Sequence, residues 1–346
     1  MSSGARYLVT GGAGFIGSNL VAALTAAGER VRVLDNLATG FWENLDGIAD
    51  QSRIERITGD IRDAEAVAKA AAGVEVIFHD GALGSVPKSV QRPAESDSAN
   101  VQGTVVVLDV ARHTRVKRVI FAASSSAYGE TEELPKRETM LPQALSPYAV
   151  SKYAGELYMR VFASLYGIET LCLRYFNVFG PGQTPDGAYA AAIPRFVDRA
   201  ISGRPIEIFG DGEQTRDFCF VKNTVRANLL AAATPKKLEG QVVNVAGGRR
   251  ISLNALVQEI GRVIGKPVDV VHQEPRPGDI RHSLGDITRA KDLFGYEPQV
   301  KWEDGIAPTV TYLKALRESG LSVAAKVTAE LWAGSGAGSQ VKADAG

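Results

Sequence analysis

Cysteine is scarce in this chain: 346 residues hold two, Cys172 and Cys219, each inside an apolar, strand-like run. No CxxC pair or ligand cluster surrounds them, which argues against a disulfide framework and reads as two core thiols. That fits a reducing cytoplasm. Histidine is nearly as rare. His79, His113, His272 and His282 are scattered without paired ligand spacing, so no metal set is expected. Charge of one sign is missing too. Lys plus Arg number 39 and Asp plus Glu number 39, which gives no reason to expect nucleic acid or an anionic membrane as partner. No apolar run approaches the ~18 residues of a membrane span, and no signal-peptide pattern opens the chain. What is present is a soluble globular composition, 45% hydrophobic and 23% charged.

The first half alternates short β-branched runs with alanine-rich helical stretches. "RYLVTGG", "RVRVLDN", "RIERITGD", "VEVIFHD", "KRVIFAAS" and "ETLCLRYFN" read as strands. Helices are expected over Ser18–Ala27, Ala64–Ala72, Val101–His113 and Tyr148–Tyr166. This alternation predicts an α/β fold with a doubly wound parallel sheet. After about Phe176 the pattern breaks into Gly/Pro-rich loops and short mixed elements. The expected organisation is a nucleotide-binding Rossmann domain over residues 1–176, with a return strand near 240–247. A smaller α/β substrate-binding domain over 177–320 is expected to sit at the carboxyl edge of the sheet. Residues 321–346, ending in "AGSGAGSQVKADAG", are expected to form a disordered tail.

"YLVTGGAGFIGSNL" sets Gly11, Gly14 and Gly17 at GxxGxxG spacing between a strand and a helix. Glycines let the backbone approach a pyrophosphate, and the helix start supplies N–H groups and a positive dipole. Asp35 ends the next strand, where a carboxylate can accept from both ribose hydroxyls and repel a 2′-phosphate. That favours NAD over NADP; the plainer alternative is a capping Asp in a turn. Asp60, in "GDIRD", lies within reach of an adenine and reads equally well as a turn or cap residue.

"SPYAVSKYAGELY" carries Tyr148 and Lys152 four residues apart, on one face of a helix. A tyrosine of ordinary pKa, ~10, is a poor base at neutral pH. The Lys152 ammonium and an oxidised nicotinamide ring are expected to lower it. Such a pair alone is usually just a helix face. Here it follows a nucleotide fingerprint and the serine run "ASSSAYG" at a strand end.

Together TGGAGFIG, Asp35, Ser124, YAVSK and "RYFNVFGPG" resemble the extended short-chain dehydrogenase/reductase superfamily, over about residues 5–315. By that resemblance Tyr148 is the catalytic acid/base, Ser124 hydrogen-bonds the reacting sugar hydroxyl and Lys152 positions NAD. The resemblance extends the cofactor set to Phe15, Ile16, Asn36, Ile61, Ala82 and Tyr175. It implies a nucleotide-sugar substrate and tightly bound, recycled NAD. Related 4,6-dehydratases carry Thr-Asp-Glu at the serine motif, and related decarboxylases a glutamate just after the serine. This chain has Ser125 and Ser126 there. The resemblance therefore implies 4-epimerisation through a transient 4-keto sugar.

Within the superfamily the chain looks most like epimerases of UDP-N-acetylhexosamines or their uronic acids. The matching positions are Gly84 and Ser85, Ser125 and Ser126, Asn177, Gln183 and Ala191, and Ser283 at the position that gates pocket size. Arg216 and Arg276 look like diphosphate clamps, with Asp279 on the uridine ribose; a planar guanidinium suits that task. Two positions depart from the pattern. Asp80-Gly81 stands where an apolar or amide residue and Ala are usual, and Ala99 where a polar cofactor contact is common. Both bear on cofactor retention. A UDP-glucose or UDP-glucuronate 4-epimerase is the alternative enzyme. A silent NAD-binding regulator is the alternative of another class, and Ser124, Tyr148 and Lys152 argue against it. The helices "VQGTVVVLDVARH" and "YAVSKYAGELYMRVFASLYG" are amphipathic and by themselves read as core faces; the resemblance implies a homodimer in which they form a four-helix bundle.

Overall fold

The computed structural model describes residues 4–185, 191–275 and 280–333. Its first half runs β1 (Tyr7–Thr10), α1 (Phe15–Ala26), β2 (Val31–Asp35), β3 (Ile54–Thr58), α2 (Ala64–Ala71) and β4 (Val76–His79). Then follow short α3 (Val86–Gln91) and α4 (Pro93–Asp97), α5 (Gly103–Arg112), β5 (Arg118–Ser124), α6 (Pro147–Tyr166) and β6 (Glu169–Tyr175). The second half holds β7 (Val178–Phe179), α7 (Ala192–Ile201), β8 (Ile206–Phe209), β9 (Thr215–Asp217), β10 (Cys219–Phe220), α8 (Val221–Ala233) and β11 (Glu239–Val245). It continues through β12 (Arg250–Ser252), α9 (Leu253–Ile264), β13 (Val270–Gln273), α10 (Thr288–Phe294), α11 (Trp302–Ser319) and α12 (Leu321–Glu330).

Seven strands form one parallel sheet in the order β11-β6-β5-β4-β1-β2-β3. The chain leaves β1 in one direction toward β2 and β3, then returns to place β4 on its other side. This reversal opens a crevice at the carboxyl ends of β1 and β4, where a doubly wound sheet binds its ligand. The strands predicted from short β-branched runs are all present, because both faces of the sheet are covered. Val9, Val33, Phe78, Ile120 and Leu171 pack in one core, and Leu8, Leu34, Ile77, Val119 and Cys172 in the other. Residues beyond β6 also form three two-stranded pairs, β7 with β10, β8 with β13 and β9 with β12.

The expectation of a disordered tail over 321–346 is corrected for its first part. Leu321–Glu330 is helical, and Trp332 is buried, donating from Nε1 to Asn19 Oδ1 at 3.2 Å. The buried face of α12 is Ala324, Ala325 and Thr328, too small and mixed to show as apolar periodicity. A close backbone approach explains their size: a side chain at Gly47 would come within 2.2 Å of the Ala325 carbonyl. Residues 334–346 lie outside the described residues. Among the described residues no helix is long and apolar enough to cross a membrane.

Candidate active site

Gly11 follows β1 at φ +70°, and a Cβ there would stand 2.8 Å from Gly81 Cα. Gly17, in the first turn of α1, faces back on the same loop; its Cβ would meet the Gly11 carbonyl at 2.3 Å. Only glycine lets α1 start this close to β1. The α1 N-cap, Gly14, offers no side chain, so the first-turn N–H groups have no side-chain cap. They border a cavity of about 350 Å³ that runs from Asp35 and Asp60 to Tyr148 and Lys152. All the residues expected to hold NAD line it: Gly11, Gly14, Phe15, Ile16, Gly17, Asp35, Asn36, Asp60, Ile61, Ala82, Tyr148, Lys152 and Tyr175. The glycine cradle, the uncapped helix start and the strand-end carboxylate fit a dinucleotide. Asp80 and Ala99 line the same space.

The carboxylates at the adenosine end are already oriented. Asp35 Oδ2 accepts from Ala13 N at 3.0 Å and Oδ1 from Leu37 N at 2.8 Å. Burial raises its pKa, and these N–H groups oppose the rise. Asp60 is gripped by the Arg62 guanidinium at 2.8 and 2.7 Å and by Asn36 Nδ2 at 2.8 Å. Hydrogen bonding to Arg62 holds its carboxyl well below the usual range.

At the other end β5 delivers Ser124 and α6 delivers Tyr148 and Lys152. Ser146 caps α6 and Pro147 starts it, which sets the helix phase. Ser124 is the side chain that acts on the Tyr148 phenol, drawing its pKa down against burial. Ser126 Oγ donates to Ser124 Oγ at 2.8 Å, and Ser126 N reaches the same oxygen at 3.2 Å. Lys152 is buried and donates from Nζ to the Ala122 carbonyl at 2.8 Å. Burial pushes its ammonium down to about 8, against the attraction of Asp80. The lowering of Tyr148 expected from Lys152 together with an oxidised nicotinamide ring concerns the NAD-bound site; in the protein alone burial raises the phenol, and the Lys152 ammonium donates to the Ala122 carbonyl.

The expected sugar-nucleotide residues do not share one cavity. Gly84, Ser85 and Gln183 line a second cavity of about 580 Å³, continuous with the first through Gly14, Phe15 and Leu83. Asn177, Ala191 and Arg216 line a third, of about 260 Å³. Ser85 caps α3, accepting from Lys88 N at 3.3 Å. Arg216 Nη1 turns to the carbonyls of Thr215 and Arg281, at 3.0 and 3.4 Å. Ser283 Oγ accepts from Asn177 Nδ2 and from Asp217 N, both at 3.3 Å. Ser125 opens the short turn after β5. Arg276 and Asp279 lie outside the described residues.

Several residues of the site carried no local signal. Thr10 and Thr104 hydroxyls flank the His79 ring at 2.8 and 3.0 Å. Thr104 donates to the Asn100 carbonyl at 2.6 Å, so His79 Nε2 is the donor and Nδ1 the acceptor. Burial and the nearby Lys152 push His79 down to about 3, which keeps it neutral. The Asn100 side chain clasps Leu83, accepting from its N–H at 2.7 Å and donating to its carbonyl at 3.2 Å. Tyr148 N donates to Ser89 Oγ at 3.0 Å. Asp217 is buried and accepts from the backbone of Gly247, Gly248 and Gly285 at 2.8, 3.2 and 3.1 Å. It thereby joins the end of β9 to the loops after β11 and Ser283. Burial raises it to about 6. Among the described residues no group of His, Cys, Asp and Glu could hold a metal.

A dinucleotide crevice with a Ser–Tyr–Lys cluster at its inner end defines an NAD-dependent enzyme of the short-chain dehydrogenase/reductase kind. Residues 7–246 match the NAD dependent epimerase/dehydratase family, and the chain belongs to it. It is an isomerase of that family. The chain is 39% identical over 311 residues to the UDP-glucose 4-epimerase of Mycolicibacterium smegmatis, covering 89% of this chain and 98% of that protein. It is also similar to a solved UDP-N-acetylglucosamine 4-epimerase from Methanobrevibacter ruminantium M1 in complex with UDP-N-acetylmuramic acid. That likeness has TM-score 0.85 and 37% identity, over 91% of this chain and 99% of the other. A UDP-glucose 4-epimerase from Thermotoga maritima with UDP-glucose gives TM-score 0.84 and 39% identity, over 90% and 99%.

Proposed function

We propose that this enzyme interconverts the C4 epimers of UDP-N-acetylhexosamines (UDP-GlcNAc and UDP-GalNAc) or their uronic acids. The observation that carries the choice of sugar is Ser283. By the resemblance Ser283 is the residue that gates pocket size; it is small and accepts from Asn177 Nδ2 at 3.3 Å, and a bulky residue in its place would take space an acetamido group needs. Gly84 supports it, since a Cβ there would meet nothing within 4 Å. The likeness to the UDP-N-acetylglucosamine 4-epimerase agrees. The likeness to UDP-glucose 4-epimerases favours the second reading, a UDP-glucose or UDP-glucuronate 4-epimerase.

In this reading Tyr148 takes the proton of the sugar 4-hydroxyl, and Ser124 orients that hydroxyl. When bound, NAD supplies the hydride acceptor and then the donor at C4. Lys152 holds the cofactor's nicotinamide end, and Asp35 and the α1 start hold its adenosine and diphosphate. The 4-keto sugar turns within the pocket so that C4 presents its other face to the returning hydride, and Tyr148 gives its proton back to the C4 oxygen, so there is no net redox change. Residues 177–320 present the sugar nucleotide, with Arg216, Arg276, Asp279 and Gln183 as its contacts. Ser125 and Ser126 carry no carboxylate for elimination. Incubating the purified protein with each UDP-sugar and resolving the products tests the assignment; turnover confined to UDP-glucose would sink it.

The same reading makes the protein a homodimer through α6. Val150, Leu157, Val161 and Leu165 form an apolar stripe on its outer face, with Leu165 68% exposed. Light scattering on the purified protein decides this. A reducing cytoplasm suits its two buried free thiols.

A further inference from the structure

β4 ends at His79, and the next residue, Asp80, enters the cavity at the end lined by Tyr148, Lys152 and Tyr175. Its N–H continues the ladder to the Thr10 carbonyl at 3.2 Å, which pins the residue to the sheet end. Asp80 Oδ2 is buried with no hydrogen-bond partner. The Tyr175 hydroxyl, which lines the same cavity, is engaged by Asn228, donating to Oδ1 at 3.1 Å and accepting from Nδ2 at 2.8 Å. The facing cation is Lys152, on α6. His79, the neighbour on β4, is neutral.

An ionisable group left buried and only partly hydrogen-bonded costs stability. Burial raises the Asp80 carboxyl to about 6, with Lys152 and Tyr175 opposing the rise, so it is mostly ionised at neutral pH. The cavity it lines is the one that fits a dinucleotide. The nicotinamide ring carries a positive charge only when oxidised. Lys152 alone would oppose that charge; a carboxylate on the same cavity wall offsets it.

We propose that Asp80 is an electrostatic positioning residue of the cofactor site, whose carboxylate, set against Lys152, favours oxidised over reduced nicotinamide. Its effect falls on the poise of the bound cofactor and not on proton transfer to the sugar. At an effective dielectric of ~20, one unit charge several ångströms away is enough to shift the equilibrium about tenfold.

The test uses the NAD-loaded protein without any sugar, so it is independent of which sugar is turned over. The bound cofactor is titrated against a redox couple and followed by the absorbance of reduced nicotinamide. Asp80→Asn keeps the shape and polarity without the charge, and Asp80→Leu removes polarity as well. Both variants are expected to favour the reduced form about tenfold, a rise of ~30 mV for a two-electron couple. No shift, or a fall, in either variant overturns the proposal. A shift in Asp80→Leu alone also overturns it, because packing and not charge would then be the cause. If Asp80→Asn does not fold, the sign of the shift in Asp80→Leu still decides.

Discussion

Asn100 and Ser151 meet across 51 positions of sequence, Nδ2 donating to Oγ at 2.9 Å, and the Ser151 hydroxyl donates in turn to the Tyr148 carbonyl at 2.8 Å. One amide side chain therefore ties the turn at Leu83 to the helix that bears the candidate base. Replacing it with Ala leaves buried partners unmet, which costs ~1–3 kcal/mol in a urea titration. We expect turnover to fall about tenfold with cofactor affinity little changed. The pattern to look for is a loss in kcat that exceeds any change in KM.

Tyr148→Phe removes one oxygen and keeps the packing. Turnover should drop by ~10²–10⁴ while the protein still folds and carries NAD. Ser124→Ala should cost less, since Ser126 and the backbone remain beside the sugar hydroxyl. Steady-state assays of both variants, with cofactor content measured in parallel, check this; undiminished turnover in Tyr148→Phe would refute the assigned mechanism.

Glu156 and Arg174 form a bidentate pair at 2.7 Å for both contacts, each side chain 2% exposed. Glu156 lies one turn beyond Lys152, so the pair anchors α6 to β6 beneath the site. Cutting one partner strands a buried charge; Glu156→Gln should lose ~3–5 kcal/mol of stability. A double change of both residues to methionine should recover much of it. Chemical denaturation of the three chains distinguishes these outcomes.

His79 gives a pH-dependent signature. Unfolded, it titrates near 6.5; folded, burial holds it down at about 3. Above 6.5 it is neutral in both states. As pH falls through the window from 6.5 to 3, the unfolded chain binds a proton that the folded chain refuses, and stability drops ~1.4 kcal/mol per pH unit from this group. Asp80 and Asp217 act oppositely, because their folded pKa values are raised to about 6. They are common to a comparison of the parent with His79→Gln. The stability gap between those two chains should therefore narrow as pH falls below 6.5, measured by denaturation at several pH values.

The parts of the molecule that were legible in the sequence share a property: their signal is local. The strands are short β-branched runs, buried on both faces except at the edge strand β3. Gly11, Gly14 and Gly17 sit on one turn, and Tyr148 and Lys152 on one helix face. Thr10, His79, Thr104 and Asn100 come together only because β4 lies beside β1 and α5 packs near both. A scan of the four histidines for ligand spacing could not show that one of them would be locked neutral between two threonines. Asp80 was visible as an odd residue, but its facing Lys152 depends on the sheet. The helix α12 was hidden because its buried face is alanine and threonine.

That last helix has a consequence for how the molecule is made. Trp332 is bonded to Asn19, 313 residues earlier, and α12 packs on α1 and on the segment 42–45 after β2. The helix that the glycine turn starts therefore gains this backing only from a segment synthesised 313 residues after Asn19.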